Sequence, residues 1–90
     1  MNKIVWSRRA LFNLQAIRDY IAQFNPFAAD KVADEIIATG EQLALFPGRG
    51  RMVPGKDMRE MMTSYPYVIR YRIAGDQVII LRIRHMARGS

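Results

Sequence analysis

Two stripes of apolar residues at helical spacing follow a short N-terminal strand. Residues 3–6 (KIVW) are typical of a strand, and Ser7 after them can cap a helix. Apolar residues then recur every three or four positions to about Gln23, which predicts a first amphipathic helix. Asn25, followed by proline, favours the start of a second helix, whose apolar stripe runs to about Phe46. Two helices joined by so short a turn predict an antiparallel helical hairpin.

The last third of the chain alternates apolar and basic residues with period two. Residues 67–73 and 78–85 therefore predict two strands, each with one apolar face and one basic face. The expected apolar face comprises Ile69, Tyr71, Ile79, Leu81 and Ile83, and the expected basic face comprises Arg70, Arg72, Arg82 and Arg84. Residues 58–63 predict a further strand, and residues 47–57, rich in glycine, proline and arginine, predict a loop.

The connection between the last two strands sets their register. Pairing Ile73 with Ile79 keeps all arginines on one face, and it requires an odd number of loop residues. A two-residue turn would instead pair Ile73 with Val78. We therefore expect a three- or five-residue connection, or a bulge near residues 74–77.

The order of these elements is β-α-α-β-β-β. It predicts an α+β fold, a helical hairpin packed on one face of a small antiparallel sheet, in a single domain spanning residues 1–90. The arginines are then expected on the other face of the sheet or at its rim.

Composition narrows the classes of function. The 90 residues contain no cysteine, so disulfides and thiolate metal sites are excluded, and a cytoplasmic location is expected. Polar residues interrupt every apolar run, so neither a signal peptide nor a membrane span is predicted. The net charge of +6 predicts attraction to a polyanion or to an acidic protein.

Two weak signals of enzyme chemistry also have simpler structural explanations. Residues 50–57 match a phosphate-binding loop for seven positions, but Asp57 stands where a Ser or Thr should ligand magnesium, and Pro54 lacks an N–H. A basic loop is the favoured interpretation. His85 is the only histidine and could act as a general acid or base, or pack at an interface. No cofactor and no metal site is predicted.

Arginine is the most informative residue type, because its planar fork suits bidentate contact with phosphate or carboxylate. The arginines of the loop, the strands and the C-terminus are Arg49, Arg51, Arg59, Arg70, Arg72, Arg82, Arg84 and Arg88. Both RNA phosphates and an acidic partner protein would fit this set.

Several motifs in order resemble one known family across nearly the whole chain. They are Trp6-Ser7, YIAQFNPFAA at 20–29, LALFPGRGR at 43–51, Arg59-Glu60, YPYVIRYRI at 65–73 and VIILRIRHMAR at 78–88. Together they resemble the RelE/ParE superfamily of bacterial toxin–antitoxin modules, and more closely its ParE branch. The family fold is a helical hairpin over a small antiparallel sheet.

The resemblance implies one of two mechanisms. ParE-like toxins are not known as nucleases and inhibit DNA gyrase, whereas RelE-like toxins are ribosome-dependent mRNA endoribonucleases. The long helices, the glycine-arginine loop and the absence of a tyrosine after Tyr71 favour the ParE type, which is not an enzyme. The alternative nuclease would use Arg51, Arg59, Arg82 and His85.

The resemblance also implies partners. A cognate acidic antitoxin protein is expected to neutralise the toxin in a hetero-oligomer, with DNA gyrase as the target. Neither a membrane nor direct sequence-specific DNA binding by this chain alone is expected. The residues expected to meet the partner are Arg51, Arg59, Arg70, Arg72, Arg82 and Arg84.

Overall fold

The chain folds into two helices and five strands. The computed structural model describes residues 1–87, so Arg88 of the predicted arginine set lies outside the described part. The elements are β1 (Lys3–Trp6), α1 (Arg8–Ala22), α2 (Pro26–Gln42), β2 (Arg51–Met52), β3 (Arg59–Met62), β4 (Tyr67–Ala74) and β5 (Gln77–His85). Within residues 1–87, no helix is long and apolar enough to cross a membrane.

Both helices begin where their capping side chains predict. The Ser7 hydroxyl accepts a hydrogen bond of 3.0 Å from the Ala10 N–H at the start of α1. The Asn25 side chain accepts one of 3.1 Å from the Ala28 N–H at the start of α2. Each cap satisfies a backbone donor that a helix leaves without an internal partner, so these starts are fixed by local chemistry.

The second helix ends earlier than the apolar stripe predicts. It stops at Gln42 rather than near Phe46, because the next residues bond three positions back instead of four. Leu43 N–H donates to the Gly40 carbonyl, and Leu45 N–H donates to the Gln42 carbonyl. This tighter winding turns residues 43–46 out of the helix and into the following loop.

The strands form one sheet in the order β1-β5-β4-β3-β2. The predicted α+β architecture, with a helical hairpin on one face, is confirmed. The sheet is mixed rather than wholly antiparallel, since β1 pairs in parallel with β5 while the other pairs are antiparallel. The helical hairpin and strands β2 to β4 lie between β1 and β5 in sequence and together form the long connection that a parallel pair requires.

The predicted loop contains more regular structure than its composition indicates. Residues 47–49 form a short 3-10 turn, and β2 adds a two-residue strand at the edge of the sheet. The Val53 carbonyl then accepts from the Lys56 N–H at 3.1 Å, and Gly55 has a φ of +73°. Proline followed by a glycine with positive φ makes a type II turn. This geometry matches a basic turn and not a phosphate cradle.

The predicted connection between β4 and β5 is wrong. Gly75 and Asp76 form a two-residue turn that pairs Ala74 with Gln77 and Ile73 with Val78. Gly75 has a φ of +61°, which is the requirement of the first central position in a type II′ hairpin turn. The turn chemistry therefore overrode the apolar alternation at this end of the hairpin.

A bulge in the middle of the hairpin restores the alternation. Tyr71 pairs with Ile80, whereas Arg70 pairs with Arg82, so Leu81 is an extra residue on β5. One inserted residue reverses which face the following side chains occupy. As a result Arg82 shares a face with Arg70 even though the turn is short.

The short turn and the bulge together change which residues form the core. Val78 and Ile80 are fully buried on the helix side, and Ile79 and Leu81, which were predicted there, are not. The prediction was wrong for these two because it extended a single phase through β5. The largest fully buried side chains are Tyr71, Ile36, Leu43, Ile69, Ile80 and Val78.

Candidate interaction surface

One side of the sheet concentrates positive charge. The core residues of β4 and β5 point toward the helices, so the residues between them point away. We call this outer side the arginine face; it comprises Arg51, Glu60, Arg70, Arg72, Arg82 and Arg84. In the register of the sheet, Arg51, Glu60, Arg70 and Arg82 lie side by side across four strands. Three strand spacings give this row a length of about 14 Å.

Glu60 is the carboxylate within this row, and two arginines hold it. Arg70 donates two hydrogen bonds to Glu60 Oε2, at 3.0 and 2.7 Å, and Arg84 approaches the same oxygen at 3.2 Å. Only 8% of the Glu60 side chain is exposed. Burial raises the pKa of this carboxyl, but the hydrogen bonds and charges of Arg70 and Arg84 outweigh burial and lower the pKa overall. Glu60 is therefore an internal counter-ion.

Arg82 lies among like charges. Its pKa is lowered by burial and then by the positive charges of Arg9, Arg70 and Arg84, with Glu60 opposing them. The guanidinium stays protonated at neutral pH, because arginine does not lose its proton in proteins. Within residues 1–87, three arginines and one carboxylate, Glu60, act on Arg82, so positive charge prevails around it and attracts an anionic partner.

Arg72 completes the outer row of charges at the turn end of β4. Its guanidinium lies 3.9 Å from the Asp57 carboxylate; the Arg72 side chain is 43% exposed and that of Asp57 is 87% exposed. Exposed pairs at this distance contribute little to stability. Arg72 is thus available for a partner without a large change in the fold.

Arg59 does not belong to the arginine face. It pairs with Tyr71 across β3 and β4 and therefore points to the helix side. Its Nη1 donates to the Gly50 carbonyl at 2.8 Å and to the Gly48 carbonyl at 3.3 Å. Arg59 is among the residues expected to meet the partner, and that role stays a prediction. Its guanidinium contacts loop carbonyls on the helix side, apart from the other five arginines of that set.

His85 also lies apart from the arginine face. It pairs with Tyr67, and their rings meet edge to face with centroids 5.2 Å apart. The His85 Nδ1 accepts a hydrogen bond from the Ala87 N–H at 3.0 Å. A cleft of about 500 Å³ separates this end of β5 from α1 and is lined by Tyr20, Arg82 and His85, among others.

The residues that the nuclease alternative needs are dispersed. Arg51 lies in the edge strand β2 on the outer side, Arg59 faces the helix side beside it, and Arg82 and His85 lie on β5. β5 is three strands away from β2. In-line cleavage of RNA requires a base, an acid and charge stabilisers around one phosphate. Among residues 1–87, no group of three or more His, Asp or Glu residues could hold a metal ion.

Sequence reasoning missed an exposed apolar loop. Leu45 and Phe46 are 61% and 63% exposed just after the early end of α2. The sequence signal was the run LALF directly before Pro47-Gly48, which was assigned to the helix stripe. Apolar residues directly before a helix-breaking Pro-Gly pair can belong either to the helix or to the following loop. The position at which the helix ends decides which of these applies.

Comparisons with known proteins agree with this geometry. The family described as ParE toxin of type II toxin-antitoxin system, parDE, matches residues 4–89. Toxin RelE2 of Caulobacter vibrioides is 48% identical over 98% of this chain and 99% of its own length. Toxin RelE3 of the same organism is 36% identical over 94% of this chain and 95% of its own. Putative toxin Y4kP of Sinorhizobium fredii is 39% identical over 92% of this chain and 86% of its own.

A solved structure has the same fold. A chain of the chromosomal ParDE TA system from P. aeruginosa superimposes with a TM-score of 0.85 at 27% identity, covering 94% of this chain and 96% of the other. The names of the relatives include both RelE and ParE, so they do not distinguish the two targets. The match over nearly the full length, together with the shared fold, shows that this chain belongs to the ParE toxin family of type II toxin–antitoxin systems.

Proposed function

We propose that this protein is a ParE-type toxin that binds and inhibits DNA gyrase, in the cytoplasm, without catalysing a reaction of its own. The observation that carries the proposal is the separation of Arg51 and Arg59, which lie on β2 and β3 on opposite sides of the sheet, from Arg82 and His85 on β5. A toxin whose candidate catalytic residues do not surround one point is expected to act by binding its target rather than by cleaving RNA. The ParE family match supports the same target.

Purified toxin is expected to inhibit supercoiling by gyrase or to trap cleaved DNA, and to leave ribosome-bound mRNA intact. The measurement is a supercoiling assay next to a primer-extension assay on translating ribosomes, with antitoxin-bound toxin as the negative control in both. The competing function is a ribosome-dependent endoribonuclease, which the relatives named RelE2 and RelE3 favour. Cuts in mRNA at the ribosomal A site, without an effect on gyrase, would establish that function instead.

Type II toxins pair with a protein antitoxin, and we propose that this antitoxin is acidic and covers the arginine face. The support is the excess of guanidinium groups around Arg82 and the overall charge of +6. Carboxylates of the antitoxin would pair with the outer arginines in bidentate fashion. Sequence-specific DNA binding by the toxin alone is not part of this proposal.

Charge reversal at the rim of the arginine face tests the antitoxin surface. We expect the double variant Arg51→Glu, Arg72→Glu to bind the antitoxin about tenfold more weakly, or about 1.4 kcal/mol, at low salt. The loss should shrink as salt screens the charges. Lys31→Glu, an exposed change on α2, is the matched control and should have little effect. Equal losses in both proteins, or binding indifferent to salt, would contradict this surface.

A further inference from the structure

The loop that follows α2 exposes apolar side chains on a rigid backbone. We call residues 45–50 the Phe46 loop. Leu45, Phe46 and Pro47 line one shallow depression on the surface, together with Gly48 and Arg49. Met52, just beyond the loop, is half exposed as well. Contiguous exposed apolar residues of this kind mark sites of interaction.

Buried polar groups hold this loop from below. The hydroxyl of Tyr71, a fully buried residue, donates to the Pro47 carbonyl at 2.7 Å and accepts from the Gly50 N–H at 2.8 Å. The Arg59 guanidinium donates to two further loop carbonyls, those of Gly48 and Gly50. The backbone is therefore already ordered before any partner arrives, and binding incurs little further loss of loop entropy.

The chemistry of the loop defines the partner that fits it. The loop presents an aromatic side chain with an arginine beside it, and both residue types are enriched at protein–protein interfaces. Arg49 lines the same depression and is exposed at its rim, so a complementary surface has an apolar pocket with acidic groups beside it. A folded protein offers such a pocket before binding. A segment that folds only on contact has no preformed pocket to offer.

The Phe46 loop is also separate from the charged centre of the arginine face. It adjoins β2 at one edge of the sheet, and its anchors Tyr71 and Arg59 lie on the helix side. Arg82 and Arg84 belong to β5, three strands from β2. One molecule can thus use two different surfaces for two different partners.

We propose that the Phe46 loop is the surface by which this toxin contacts its target protein, inserting Phe46 and Leu45 into a preformed apolar pocket with an acidic rim. The identification of that target as gyrase rests on the proposed function. The antitoxin occupies the arginine face, and target contact is separable from antitoxin contact by single substitutions.

The experiment compares two exposed phenylalanines. Phe46→Ala and Leu45→Ala remove the loop side chains, and Phe27→Ala removes a phenylalanine that is 87% exposed at the tip of the helical hairpin. Each protein is assayed for gyrase inhibition, growth inhibition on unopposed expression, antitoxin affinity and thermal unfolding. We expect the loop variants to need at least about tenfold more protein for half inhibition, which is a hot-spot effect. Their antitoxin affinity and unfolding temperature should match the wild type, and Phe27→Ala should match it throughout.

The other outcomes separate failure of the loop assignment from failure of gyrase as the proposed target. Loop variants that inhibit as well as the wild type would overturn the loop assignment, and so would a parallel loss of antitoxin affinity. If the wild type does not inhibit gyrase, the proposed target is wrong, and growth inhibition becomes the test of the loop. The loop assignment then stands only if Phe46→Ala relieves toxicity at equal protein levels and Phe27→Ala does not. If Phe46→Ala unfolds, Arg49→Glu at the exposed rim must give the same relief, or the assignment is wrong.

Discussion

Replacing Glu60 by glutamine is expected to lower the free energy of unfolding by about 3 kcal/mol, because it removes the charge of a nearly buried carboxylate between two arginines. Glutamine keeps the shape of the side chain but removes the negative charge that Arg70 and Arg84 contact. Urea unfolding at neutral pH measures the loss. The control is Asp30→Asn, which breaks the exposed pair of Arg18 and Asp30 and should cost less than about 1 kcal/mol.

The same contact predicts a dependence on pH. The pKa of Glu60 is below its ordinary value of 4.5 in the folded protein, so its contribution to stability is fully present above pH 4.5. The contribution is lost as the pH falls below that value and through the folded pKa. The pKa of Glu35 is also lowered, by hydrogen bonds from Ser64. Glu35 is present in both the wild type and Glu60→Gln, so its titration does not contribute to the difference between them. The difference in stability between wild type and Glu60→Gln should therefore shrink in acid, and a constant difference would show that the carboxylate charge is not the cause.

Replacing Gly50 by alanine is expected to destabilise the protein by about 2 to 3 kcal/mol, because the added methyl group has no space. A Cβ at Gly50 would lie 2.6 Å from the Tyr71 hydroxyl oxygen and 2.8 Å from the Glu60 carbonyl oxygen. The first neighbour is fully buried and the second is backbone, so neither can move without disturbing the sheet.

Gly48→Ala provides the matched control, in the same loop and two residues away. A Cβ there has no neighbouring atom within 4 Å, and its φ is not positive, so the substitution should be neutral or slightly stabilising. Thermal unfolding of both variants gives the comparison. Equal stability of the two proteins would mean that the backbone at Gly50 can relax, and that Tyr71 does not hold the Phe46 loop rigidly.

The two predicted surfaces have different physical origins. The arginine face follows from alternation along β4 and β5 and is expected from the sequence. The Phe46 loop arises because α2 winds more tightly after Gln42, and because Tyr71 and Arg59 reach across from the sheet. No local sequence pattern predicts the second surface, because Tyr71 and Arg59 lie far along the chain from most of the loop residues to which they hydrogen-bond.

The site residues show the same division. The arginine pattern predicted that Arg70, Arg72, Arg82 and Arg84 share a side, and the register of the sheet places them there. The role of Glu60 as their counter-ion was not predicted, because its partners come from two strands that only the folded sheet brings beside it. The functional use of these residues stays a prediction until the binding experiments are made.

The sequence by itself determined the features that depend on neighbours within a few positions: the helix starts at Ser7 and Asn25, the existence of β1, β3, β4 and β5, and the excess of positive charge. The tertiary structure alone decided the bulge at Leu81, the parallel pairing of β1 with β5, and the diversion of Arg59 to the loop. The reason is that caps and alternation are set by contacts three residues apart or fewer. Register and pairing instead depend on which distant backbone groups meet, and a single extra residue in one strand reverses every side chain beyond it.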